Sequence, residues 1–152
     1  METITEKTTE AISDLIVINN DRFEGYQKAI DQTSDVDLKT LFSTYSVQSK
    51  GFSSQLRPLI PFGEDAPERD ETRISGKFYR AWMDIKNSLS TNDRKAVLSS
   101  CEYGEDVAKK AYEDALKDRE SLPTEVVNLI QEQYDEILDA HNKIKSLRDS
   151  LK

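Results

Sequence analysis

Four long stretches of this chain repeat their apolar residues at steps of three and four, and that period leaves little room for any element but a helix. In the first, Ile12, Leu15, Ile16, Asn19, Phe23, Tyr26 and Ile30 share one face at about 100° per residue. This predicts helix A over residues 4–31. The second stripe, Leu38, Leu41, Phe42, Tyr45, Phe52 and Leu56, predicts helix B over 36–57, with Ser34 and Asp37 resembling an N-cap and an acidic first turn. Val97, Leu98, Cys101, Glu105, Ala108, Tyr112 and Leu116 predict helix C over 93–118, after the cap chemistry of LSTND. Helix D, 123–150, follows the start signals of RESLPTE and carries Val126, Ile130, Gln133, Ile137, Ala140, Ile144, Leu147 and Leu151.

The connections set the topology. Short turns join A to B and C to D, so each pair should be antiparallel neighbours. Between B and C the stretch RPLIPFGEDAPERDE holds Pro58, Pro61, Pro67 and Gly63, which ends helix B. Beyond it Ile74, Phe78, Trp82, Ile85 and Leu89 recur at helical steps, predicting an additional helix over 71–89 inside the crossover. The expected architecture is therefore an all-α four-helix bundle with one long crossover that contains a helix. At 152 residues, one domain over 1–152 is enough to bury a single sizeable core.

Composition narrows the partners. The net charge of −8 repels nucleic acid and anionic lipid, and no basic cluster offsets it, so neither is an expected partner. LIVI at 15–18 is the longest purely apolar run, far short of the roughly 20 residues a membrane helix needs. The acidic start METITEK lacks the features of an export signal, and the single Cys101 excludes an internal disulfide and paired-cysteine zinc motifs. A soluble protein in a reducing cytoplasm is the expectation. The apolar face of the crossover helix must be covered, either within the chain or by a second copy in a homodimer. The identity of any protein partner stays open.

Glu105 is the sharpest anomaly, because an ionised carboxylate on an apolar stripe costs several kcal/mol unless it is paired, protonated or bound to a cation. A metal ion, or a network of tyrosine hydroxyls, water and the only histidine, His141, would each satisfy it. Glu102, one turn earlier, lies at the stripe's edge, where it reads as solvated or salt-bridged to a lysine. Asp21 and Glu24 lie off the apolar face and read as solvated surface, with Lys28 supporting Glu24. Hydroxyls of Tyr26, Tyr45, Tyr103, Tyr112 and Tyr134 could form a polar layer with Glu105 and Asn19. Gly25, Gly51 and Gly104 fall inside helices, where they allow close approach or a bulge.

The order of segments resembles the ferritin-like superfamily, and in particular an uncharacterised bacterial group of ferritin-like four-helix-bundle proteins. It is carried by LIVINNDRFEGYQKAI, DLKTLFSTYSVQSKGF, KFYRAWMDIKNSL, LSSCEYGEDVAKKAYEDAL and QYDEILDAHNKI. GEDVAKKAY also looks like the rubrerythrin pattern of a metal-binding Glu followed by Ala and Tyr, here Glu105, Ala108 and Tyr112. A di-iron member supplies one Glu from each of two helices and Glu-x-x-His from each of the others. Here Leu138 stands three before His141, helix B has Ser49 and Phe52 at the matching places, and Phe23 matches Glu105 in helix A. The resemblance thus implies a degenerate di-metal site. The leading expectation is a structural or interaction module without robust catalysis and without a cofactor, tied to stress physiology by the resemblance alone. The alternative is an iron- or manganese-binding oxidoreductase or storage protein using Glu105, Glu102, His141 and Glu24. No nucleophile elbow, phosphate loop or zinc-protease motif is present.

Overall fold

The computed structural model describes residues 3–68, 71 and 94–151. Over these the chain is all-α. Helices α1 (Ile4–Gln32), α2 (Val36–Leu56), α3 (Arg94–Lys117) and α4 (Thr124–Asp149) fall within one residue of the four spans expected from the apolar stripes. The expected crossover helix, 71–89, lies outside the described residues apart from Glu71, which is not helical. No helix among the described residues is long and apolar enough to cross a membrane.

Local chemistry fixes the ends. At α1 a capping box forms: the Glu6 amide donates to Thr3 Oγ1 at 3.0 Å, while the Thr3 amide donates to the Glu6 carboxylate at 3.4 Å. The α2 cap is Asp35 rather than Ser34, and it makes no side-chain cap bond. Its carboxylate is turned instead to Arg94, which reaches Asp35 at 2.9 Å and grips Asp37 through two nitrogens at 3.0 and 2.7 Å. The corner between α1 and α2 is thereby tied to the start of α3. Short connections pair α1 with α2 and α3 with α4; α1 also packs on α3, whereas α2 and α4 touch only sparsely.

The apolar interior divides in two. One cluster, towards the start of α1, gathers Ile12, Leu15, Ile16, Phe52, Leu56, Tyr112, Leu116, Val126, Ile130 and Ile137. The other, towards the α1–α2 corner, gathers Tyr26, Ala29, Leu38, Phe42, Val97, Leu98, Cys101 and Ile144. Each large side chain removed from water contributes about 1.5–3 kcal/mol, so these clusters supply most of the drive to fold. Between them runs a band of buried polar side chains.

Gly51 serves neither close approach nor a bulge, since it is exposed in α2 and a Cβ built there meets nothing within 4 Å. Gly51→Ala should therefore stabilise the protein by about 0.5–1 kcal/mol through reduced backbone entropy of the unfolded chain. Urea unfolding of the two proteins measures this directly, as a higher midpoint at unchanged slope.

Candidate functional site

Strict alternation of three and four along α1 runs Ile12, Leu15, Asn19, Arg22, Tyr26, Ala29, and every one of these is buried. The fourth member is an arginine. Phe23, the apolar choice for this face, is half-buried at its edge, where the Lys50 ammonium lies 4.9 Å from the ring centroid. Arg22 points inward with no exposed surface and meets Glu105 of α3, also fully buried. Arg22 Nε donates to Glu105 Oε1 at 2.7 Å and Nη2 to Oε2 at 2.8 Å, a bidentate fork of the geometry a carboxylate holds most tightly. Tyr26 donates its hydroxyl to the same Oε2 at 2.5 Å.

The Nη1 donors are spent on α2. Arg22 Nη1 donates to Ser49 Oγ at 2.6 Å and more weakly to the Tyr45 carbonyl at 3.4 Å. Ser49 in turn donates to Asn19 Oδ1 at 3.1 Å. Asn19 Nδ2 donates to the Tyr112 hydroxyl at 2.7 Å, and Tyr112 donates to Gln133 Oε1 of α4 at 2.6 Å. Gln133 Nε2 closes the chain on α2, at the Phe52 carbonyl and Gln55 Oε1. A single run of hydrogen bonds thus crosses all four helices, with one anion and one cation at its centre. Paired in this way, two charges that would each be costly to bury become tolerable together.

Burial raises the pKa of Tyr26 well above the usual value near 10, and the Glu105 charge adds to the rise. Tyr112 is raised chiefly by burial too, against the lowering effects of the Asn19 bond and the Arg22 charge. For Arg22 burial works against the charged form, but the Glu105 carboxylate outweighs it and the pKa ends above the ordinary guanidinium value. The arginine is a fixed cation.

The four residues expected to bind metal are not gathered into one site. Glu105 faces α1 and Arg22. His141 does not reach it: the imidazole Nε2 lies 2.5 Å from Asp106 Oδ1, and Nδ1 is 3.2 Å from Asn142 Oδ1. Asp106 is one residue on from Glu105, hence about 100° round the helix and at the surface. Glu102 pairs with Arg148 of α4, not with a lysine. Glu24 is half-buried and takes part in none of the hydrogen bonds or ion pairs of the described residues; Lys28 does not pair with it. Asp21, read as solvated, is fully buried. Among the described residues no group of three or more His, Cys, Asp or Glu side chains lies where it could hold a metal ion.

Arg22, Ser49, Asp106 and Arg148 were not expected from the sequence as partners of these residues. The signal for Arg22 was present in the three-four register, which places it between Asn19 and Tyr26 whatever its polarity.

Arg22→Ala or Glu105→Ala should each lower stability by about 3–5 kcal/mol, because each leaves the other charge buried without its partner. The joint change Arg22→Met with Glu105→Leu should cost less than either, and urea unfolding of the set measures the coupling. The pH dependence follows from Tyr26: the folded state keeps its phenolic proton after the unfolded chain has lost it. That stabilisation is complete below pH about 10 and is lost as pH rises from there towards the folded pKa. Above pH about 10, the unfolding free energy should fall more steeply in wild type than in Tyr26→Phe, by up to about 1.4 kcal/mol per pH unit.

No curated protein matches the chain. The family model that does match spans α1 to α3 and so includes both members of the buried ion pair: over residues 7–118 the chain belongs to the family described as a domain of unknown function, DUF2383.

Proposed function

We propose that this protein is a structural or interaction module that works without a metal, through its outer faces and not through chemistry in its core. One observation carries the reading: both oxygens of Glu105 are held by the guanidinium of Arg22. A carboxylate acting as a metal ligand or a general base must turn towards the metal or the substrate, and here a guanidinium cation already stands against both oxygens. Here Tyr26 adds a third donor, and Ser49, Asn19, Tyr112 and Gln133 complete one another's bonds.

This set of one carboxylate, one guanidinium and neutral partners fits an organic cation and does not fit the pair of metal ions that a ferritin-like resemblance implies. Of the other three members of the metal-binding alternative, His141 and Glu102 are engaged by Asp106 and Arg148, and Glu24 stands apart from them as a single carboxylate. What remains for function is the surface. With a net charge of −8 it favours a partner with a basic face over nucleic acid or anionic lipid. A link to stress physiology would come with the ferritin-like resemblance.

The test is a titration of metal-stripped protein with Fe(II) under anaerobic conditions, and separately with Mn(II) and Zn(II), followed by calorimetry and thermal melting. No saturable heat and an unchanged melting temperature are expected, because a ligand that binds only the folded state must raise it. Binding near one equivalent that raises the melting temperature and disappears in Glu105→Ala would overturn the proposal in favour of a metal-binding oxidoreductase or storage protein.

A further inference from the structure

The surroundings of Arg22 match its head group with polar acceptors along its edge and with aromatic rings beside it. Along the edge stand the two Glu105 oxygens at 2.7 and 2.8 Å, Ser49 Oγ at 2.6 Å and the Tyr45 carbonyl at 3.4 Å. The guanidinium carbon stands over the rings of Tyr26 and Tyr45, 5.3 and 5.5 Å from their centroids. Those distances suit cation–π contact. Ser49 and Tyr45 belong to α2 and Glu105 to α3, so most of the walls stand on helices other than the one that carries Arg22.

We infer that the space beside Glu105 is a binding site for a planar guanidinium, occupied in cis by Arg22, so that the docking of α1 onto α2 and α3 is in part a ligand-recognition event. The inference rests on the reading of Glu105 as a carboxylate committed to an organic cation. Its chemistry is selective. A spherical ammonium or metal dication could neutralise Glu105 but would leave the Ser49 and Tyr45 acceptors, or the two ring faces, without a matched partner. Truncating the arginine stem should therefore leave a cavity that accepts an alkylguanidinium of the missing length.

The experiment uses the full chain with Arg22→Ala and ethylguanidinium as the probe. The variant should melt about 10 °C below wild type. Millimolar ethylguanidinium should then restore more than half of that drop in a saturable manner, whereas ethylammonium, tetramethylammonium and Zn(II) should restore little. Arg22→Lys should stay well below wild type although its charge is kept. Wild type, whose site is filled, and Arg22→Ala with Glu105→Gln, which lacks the carboxylate, should show no such rise. If Arg22→Ala does not fold alone, the same comparison is made on recovery of helical circular dichroism when it is refolded with each additive. Absence of recovery with the guanidinium, equal recovery in the double variant, or a stronger effect of ammonium or Zn(II) would each overturn the inference. These results concern the emptied site, whereas metal binding by wild type tests the preceding proposal, so the two can fail separately.

Discussion

Shut off from water together, Arg22 and Glu105 cannot be separated without leaving an uncompensated charge in the interior, and this sets how the two hairpins meet. The α1–α2 pair and the α3–α4 pair each close on themselves through a short turn and apolar packing. Apolar faces alone tolerate sliding, because one stripe of Leu and Ile resembles the next. The fork between α1 and α3 does not: a shift of one helical turn is about 5.4 Å, more than enough to break two bonds of 2.7 and 2.8 Å. Ser49 and Gln133 then extend the same constraint to α2 and α4. The energetic drive comes from the apolar clusters, and the ion pair selects which arrangement that drive produces.

The polarity of this interior also explains the composition of its walls. A guanidinium has five N–H donors, and a site that buries it must offer acceptors in nearly all those directions. A small hydroxyl side chain does so without crowding the helices, which accounts for Ser49 where a bundle would ordinarily place Leu or Ile, and Asn19 in turn accepts from Ser49. The two tyrosines next to the arginine add ring faces, and Tyr26 also gives its hydroxyl to Glu105.

Much of this fold was legible in the sequence, and the reasons are local. Long stripes at helical steps place four helices to within a residue, because amphipathic period and capping are read from neighbouring positions. Glu105 stood out for the same reason, a charge on an apolar stripe. Its partner did not, because Arg22 is adjacent to Phe23, and choosing the more apolar of two neighbours turns the assigned face by 100°. That one choice made a cation necessary from elsewhere and gave weight to His141. Which surface carboxylate His141 meets depends on how α3 and α4 are rotated against each other, and no single helix encodes that. Asp21 escaped notice in the same way: polarity assigned it to the surface, whereas it is buried.

Because the polar band lies between two apolar clusters, the bundle is insulated along its length. Loosening near the corner where Arg94 holds Asp35 and Asp37 must break the arginine fork before it can spread past Tyr26 towards Ile12 and Val126. Each end can therefore drift in sequence, or yield to a partner, while the other keeps its packing. The charge pair thus stands as a polar partition between two apolar clusters that pack separately.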